Sequence, residues 1–202
     1  MTSAVAAALA LDTAAQDLLF RAARTANSFT DEPVGPEHVQ AIHDLIRSGP
    51  TAYNSQPLRV LLVRSAAART RLLPHLSSGN RDKTATAPLV AILAADPGFP
   101  AELPTLFPHK PWVKDYYTEQ SVAEAQARFN ATLQAGYFIL GVRAAGLAAG
   151  PMAGFDNAGV DGEFFAESGW RSLLVVNIGR PGPDAWSERL PRWEYADVVA
   201  EV

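Results

Sequence analysis

The chemistry in this chain starts from an ammonium and a carboxamide. Asn80 and Lys83 stand three residues apart in SSGNRDKTATAP (77–88), so a helical turn there would place both on one face. Such a pair would stabilise negative charge developing on the edge of a reduced ring. Taken alone, it also reads as an ordinary solvated surface pair. In RTANSFTDEPV (24–34), Arg24, Thr25 and Asn27 offer a guanidinium, a hydroxyl and an amide to a phosphate, or simply form a solvated helix end. In SGPTAYNSQPLRV (48–60), Asn54, Ser55 and Gln56 ahead of Pro57 have the composition of a turn. GPMAGFD (150–156) reads as a loop after an apolar helix, with Gly and Pro able to turn backbone N–H groups toward a ring edge.

Other chemistries lack their residues. The chain of 202 residues has no cysteine, so disulfides, thiolate metal sites and a cysteine nucleophile are out, and redox chemistry needs a bound cofactor. No G-x-G-x-x-G follows a strand, and there is no Walker A sequence or G-x-S-x-G elbow. His38 and His43 are five apart, about 140° around a helix, and cannot share a metal as an i, i+4 pair would. His75 has no evident partner. A net charge of -4 leaves no broad basic surface for nucleic acid. No apolar run reaches the roughly 20 residues of a membrane span. The alanine-rich start lacks the basic region of a signal peptide, so a cytoplasmic protein is expected.

These groups need a scaffold. With 48% hydrophobic and 19% charged residues, the composition suits a single domain over 11–202 behind a loose arm at 1–10. Thr13 with Gln16 has capping-box spacing for a first helix ending near Arg24. Pro36 starts a second, with Val39, Ile42, Leu45 and Ile46 as its stripe and Gly49-Pro50 as its stop. Runs 58–65, 87–96 and 170–181 read as strands covered on both faces. Ser121 with Glu124 would cap a long helix whose second half, Phe129 to Leu147, is apolar nearly all round and belongs in the core or a subunit interface. Residues 96–118 hold five prolines and several aromatics, which excludes a helix or central strand and predicts a long ordered loop.

The four polar segments, in this order and at these separations, resemble the nitroreductase superfamily from about Leu11 to Val199. SSGN with Lys83, the LFPH of Leu106 to His109, LQAGYFILGVRAAGL and GPMAGFD resemble the branch containing malonic semialdehyde reductases of pyrimidine breakdown. The resemblance implies an α+β fold of three layers, a mainly antiparallel sheet flanked by helices, in an intertwined homodimer with FMN at the interface. It places Arg24, Thr25 and Asn27 on the ribityl-phosphate segment, with Arg192 of LPRWEYADVV as a second phosphate contact. By the same likeness Asn80 and Lys83 meet the pyrimidine edge of the isoalloxazine. Thr51 and Asn54 line the ring from the other subunit, and Pro151, Met152, Ala153 and Gly154 form a loop over it, the N–H near Ala153 facing N5.

The implied reaction is ping-pong hydride transfer from NADPH or NADH to a small acceptor, with no obligatory catalytic side chain. Malonic semialdehyde, giving 3-hydroxypropanoate, is the acceptor the branch implies; nitroaromatics and quinones follow from the breadth of the superfamily. Residues 96–118 would form a lid in which Phe107 and Trp112 wall the acceptor pocket. His109 and Lys110 would meet a carboxylate. The rival reading is a flavin-binding or flavin-less sensing or storage protein of the same fold.

Overall fold

The computed structural model describes residues 8–202, so residues 1–7 of the expected arm lie outside it. The first helix, α1 (Thr13–Gln16), is capped by Asp12, whose carboxylate accepts from the Ala15 N–H at 2.7 Å. The cap thus falls one residue before the Thr13 expected from spacing. Gln16 is buried and donates to the Leu11 carbonyl. A π turn, Asp17–Arg21, continues the helix. Pro36 opens α2 (Pro36–Ile46) as expected, because its missing N–H has no intrahelical partner to lose there. Its apolar stripe is Val39, Ile42 and Ile46; Leu45 is 62% exposed, contrary to the expected stripe.

Strand β1 (Leu58–Val63) leads to α3 (Ala66–Leu72), capped by Ser65, and α4 (Ser78–Thr86). Then come β2 (Leu89–Ala95), α5 (Leu103–Leu106), α6 (Gln120–Ala144), β3 (Ala148–Met152), α7 (Asn157–Phe164), β4 (Arg171–Gly179) and α8 (Tyr195–Val198). The strands form one antiparallel sheet in the order β1-β2-β4-β3. Every residue of β2 is buried, and its alternating side chains feed two cores. Leu89, Ala91 and Leu93 pack with Ile42, Phe138 and Val142 of α2 and α6. Val90, Ile92 and Ala94 pack with Leu72, Val160 and Phe165 on the opposite face. This is the three-layer α+β arrangement that the motifs imply. β1, at the sheet edge, is only half covered, where the sequence reading has it covered on both faces.

Three further expectations are corrected. Gly150, Pro151 and Met152 are not loop but the end of β3. Proline is tolerated because β3 is an edge strand whose partner lies on one side only. The Ala26 N–H donates to Ala149 O at 3.1 Å and covers the outer edge, so close that a Cβ on Gly150 would sit 2.6 Å from the Ala26 carbonyl oxygen. Residues 96–118, expected to be free of helix, wind as a turn of 3-10 helix (Phe99–Glu102), α5, and a second 3-10 turn (Pro111–Tyr117). Pro100, Pro104 and Pro111 each sit in the first positions of a turn, where a proline removes no helical hydrogen bond. Phe99, Leu103 and Val113 anchor the segment on Ala127 and Ala131 of α6.

The third correction concerns α6, which begins at Gln120 after Glu119 with no side-chain cap, so the Ser121–Glu124 box does not form. Its second half is also less uniformly apolar than expected. Asn130, Gln134 and Tyr137 make a polar line, and Arg143 is buried against the carbonyls of Leu18 and Leu19. Burial lowers the pKa of the Arg143 guanidinium, yet those two carbonyls satisfy it.

Candidate functional site

The predicted residues fall into two groups, one at the β3 edge of the sheet and one at the β1 edge. The first gathers on α4, the end of β3 and residues 24–27. On α4, the Asn80 side chain donates to the Gly154 carbonyl at 3.0 Å, and the Ser77 N–H donates to the same oxygen at 3.0 Å. A Cβ on Gly154 would lie 2.9 Å from the Asn80 amide nitrogen, so the absence of a side chain lets the two elements close. Lys83 Nζ lies 3.5 Å from Asn27 Oδ1, which joins the Asn80–Lys83 pair to residues 24–27. Thr84, next to Lys83, is fully buried and accepts from Asn177 of β4 at 3.1 Å, fixing the rotation of α4 on the sheet.

Around this group the C-terminal segment closes in. Arg24 donates to Ser187 O at 3.2 Å, Asn27 Nδ2 lies 3.5 Å from Ser187 Oγ, and Arg189 donates to Arg21 O at 2.7 Å. Thr25 is exposed beside them. Arg192 is placed differently: its guanidinium turns onto the carbonyls of Leu190 and Pro191. Ser187 and Arg189 were not anticipated. A serine and an arginine in a polar tail carry no local signal, and only the pairing of residues 181–185 with 27–29 brings them to Arg24. Among the described residues, no carboxylate forms an ion pair with Arg24 or Lys83. Ala153 and Gly154 are exposed, with their N–H groups donating to no protein atom among the described residues.

The second group lies beyond the start of β1, where Leu58 pairs with Ala95 at the far end of β2. Here residues 51–56 bend tightly, with positive φ at Tyr53 (53°), Asn54 (53°) and Gln56 (44°). None is glycine, so the turn is strained, at about 1 to 3 kcal/mol per residue. Side chains hold it. Thr51 Oγ1 accepts from the Gln56 N–H at 3.2 Å, and Gln56 donates to Asn54 Oδ1 at 2.9 Å. From α6, Asn130 Oδ1 takes the Ala52 N–H at 2.8 Å and Gln134 Oε1 the Leu58 N–H at 3.0 Å. The buried Ser55 hydroxyl has no partner among the described residues.

This turn is bolted to the proline-rich segment. Asn54 donates to Leu106 O at 2.9 Å, and Arg59 pairs with Asp96 at 2.7 Å while donating to the Gln56 and Leu58 carbonyls. The Tyr53 ring meets Phe107 edge-on at 5.5 Å, and Phe107 lies 3.9 Å from the His109 ring. Burial, with Tyr53 nearby, pushes the Tyr117 phenol above its ordinary pKa. Lys110 and Trp112 are exposed on the same segment. Tyr53, Arg59 and Asp96 escape sequence reasoning, because left-handed backbone in non-glycine residues has no compositional signature.

A groove of about 650 Å³ borders the second group, between α2, the open edge of β1 and α6, lined by Gln56, Arg59 and Gln134 together with Val39, Val60 and Tyr137 among others. None of the first group's residues lines it. His43 lies on the α2 surface beside Asp44, and His38 beside Glu37, whereas the His75 carbonyl accepts from the Asp156 N–H at 2.8 Å just before α4. No helix is long and apolar enough to cross a membrane among the described residues.

Residues 20–180 match the Nitroreductase family. A protein of Streptomyces griseus, provisionally named an NADH dehydrogenase/NAD(P)H nitroreductase, is 62% identical over 195 residues, covering 96% of this chain and 99% of its own. The fold also superposes on a provisionally named nitroreductase of Bacillus subtilis with a TM-score of 0.84 at 19% identity, over 95% of this chain and all of that one. A crystal structure of a nitroreductase, again provisionally named, from Exiguobacterium sibiricum in complex with FMN superposes with a TM-score of 0.82 at 17% identity, over 96% of this chain and 98% of that one.

Proposed function

The chain belongs to the nitroreductase family, and on that premise we propose that it is an FMN-dependent NAD(P)H oxidoreductase that reduces a small organic acceptor as a homodimer. The observation that carries this reading is the meeting of α4, the end of β3 and residues 24–27 around Arg24 and Lys83, which have no carboxylate partner among the described residues. The residues fit the cofactor. Arg24 and Thr25 supply donors for a phosphate. Lys83 and Asn80 supply an ammonium and an amide for an anionic ring edge, and the bare N–H groups of Ala153 and Gly154 supply donors for a ring nitrogen.

FMN, when bound, accepts and returns a hydride at its isoalloxazine ring. The protein's part is electrostatic and geometric. Lys83, held to Asn27 and aligned through Thr84 by Asn177, keeps positive charge where negative charge develops. Asn80 and Gly154 lock α4 to the strand end, so the donors keep their spacing. NAD(P)H and the acceptor use one place in turn, which is ping-pong order. Reduction of an aldehyde then consumes one hydride from NAD(P)H and one proton from water. Within that reading a carboxylate-bearing aldehyde such as malonic semialdehyde is the acceptor, supported by the exposed His109 and Lys110 on the proline-rich segment.

The homodimer is supported by apolar surface that the single chain leaves open. Phe129 and Leu133 of α6 are 69% and 42% exposed, and Leu190, Trp193 and Tyr195 of the tail are exposed as well. The two groups, at opposite edges of the sheet, would complete each other across such an interface. Sedimentation at falling concentration should show loss of FMN together with dissociation; a dilute monomer that keeps FMN sinks the shared-site reading.

One cuvette tests the activity. The purified protein should be yellow, bleach on NAD(P)H and recover on adding an acceptor. A colourless protein that takes up no FMN, or a yellow one that NAD(P)H does not bleach, returns the chain to a sensing or storage role.

A further inference from the structure

We infer that Thr84 is a positioning residue for the flavin: its hydroxyl holds Lys83 and the Ala153–Gly154 backbone in register, and so sets how strongly the site favours reduced over oxidised FMN. The inference deepens the oxidoreductase reading and rests on it. A helix that docks on a sheet ordinarily does so through an apolar stripe. α4 has none: of its nine residues, SGNRDKTAT, Thr84 alone is buried. Arg69 of α3 grips the last turn through the carbonyls of Ala85 and Ala87, but those bonds reach α3 and not the sheet. Apolar burial is non-directional and tolerates sliding, whereas a hydrogen bond fixes distance and angle. The seat of α4 on the sheet is therefore directional.

Thr84 meets two strands at once. Its oxygen accepts from Asn177 Nδ2 of β4 at 3.1 Å and donates to the Met152 sulfur, 3.9 Å away at the end of β3. All three residues are buried. Their sequence neighbours belong to the site: Lys83 precedes Thr84, and Ala153 follows Met152. The hydroxyl thus lies one residue from the ammonium and, through the sulfur, one residue from the bare N–H groups of Ala153 and Gly154. The arrangement costs stability, because the buried Asn177 Oδ1 has no partner among the described residues. An apolar trio of the same size would avoid that cost, so packing alone does not account for these polar groups.

The test separates the hydroxyl from the packing. Thr84→Val removes the hydroxyl and keeps the branched shape; Thr84→Ser keeps the hydroxyl and removes a methyl. Titration of apoprotein with oxidised FMN, read by quenching of flavin fluorescence, gives one affinity, and potentiometry of the loaded protein gives the ratio of the reduced to the oxidised affinity. Thr84→Val should weaken reduced FMN about tenfold more than oxidised FMN, a fall in midpoint potential of about 30 mV for a two-electron couple. Thr84→Ser should lower the Tm, since it leaves a void, yet hold the wild-type potential. Met152→Leu, a volume-conserving change, removes only the sulfur and should lower the potential by part of that amount. A wild-type potential in Thr84→Val or in Met152→Leu overturns the inference, as does a fall in Thr84→Ser equal to that in Thr84→Val, which would make Thr84 a packing residue. If Thr84→Val does not fold, Met152→Leu decides alone. Failure of the oxidoreductase reading looks different: the wild-type protein itself would take up no FMN, or NAD(P)H would not bleach it.

Discussion

The two halves of the site are built by opposite means. Asn80 and Lys83 ride a regular helix whose rotation is set by one buried hydrogen bond, Asn177 to Thr84, and whose neighbour is a strand end. Thr51, Tyr53 and Asn54 ride a turn with three strained non-glycine residues, held by side chains from α6 and from the proline-rich segment. Charge stabilisation tolerates little displacement, and regular elements supply that rigidity without strain. A surface that meets acceptors can be strained, provided its surroundings over-determine it. The contrast predicts that damage to the first half slows flavin reduction, whereas damage to the second changes the choice of acceptor.

The largest effect is expected at Lys83. Lys83→Ala should lower the flavin midpoint potential and slow bleaching by NAD(P)H about 100-fold, the scale for loss of one preorganised donor. Potentiometry and stopped-flow absorbance check it; an unchanged potential and rate in FMN-loaded mutant would dissolve the distinction between the halves. Next come His109→Ala and Lys110→Ala, measured against a carboxylate-bearing aldehyde and a neutral nitroarene. A charge-assisted contact contributes about 1.5 to 3 kcal/mol, or about tenfold to a hundredfold in kcat/KM, and only the acid should lose it. Equal losses on both acceptors would make the segment a packing element.

The third variant works on the strain itself. Asn130→Ala strips the acceptor from the Ala52 N–H and should cost about 1 to 3 kcal/mol of stability, read by urea unfolding. KM for the acceptor should rise while the bleaching rate stays put; a slowed bleaching step would show that the turn also governs the flavin's reduction. The smallest effect belongs to Asp96→Asn. The Arg59–Asp96 pair is only partly shielded, so after solvent screening it contributes about 0.5 to 1 kcal/mol. A shift confined to acceptor KM sharpens the comparison, and no change in any rate marks the pair as surface dressing.

The first half was legible only in part: spacing puts Asn80 and Lys83 on one helical turn, as found, whereas their assignment and that of Arg24 and Asn27 to a cofactor come from the family resemblance, because each segment alone reads equally as solvated surface. The structure adds the approach of Lys83 to Asn27. The second half was less legible. Asn130 and Gln134 look like stray polar residues in an apolar helix until the strained turn supplies the N–H groups they accept from. Prolines misled twice, for two physical reasons. Pro100, Pro104 and Pro111 head helical turns where no N–H is needed, and Pro151 ends an edge strand. Ser121 followed by Glu124 has the letters of a cap, but Glu119 already occupies the capping position.

The contacts of Arg24 and Asn27 with Ser187, and of Arg21 with Arg189, also fix an order of events during synthesis. These partners are separated by 163, 160 and 168 residues. At about 5 to 20 residues per second, the ribosome reaches Ser187 some 8 to 30 seconds after it has finished Arg24. Through that interval the amino-terminal donors exist without the tail that seats them, while β1, α4 and β2 are already made. The part of the molecule around residues 24–27 is therefore among the last to close. A ligand that depends on it is captured by a finished chain rather than by a nascent one.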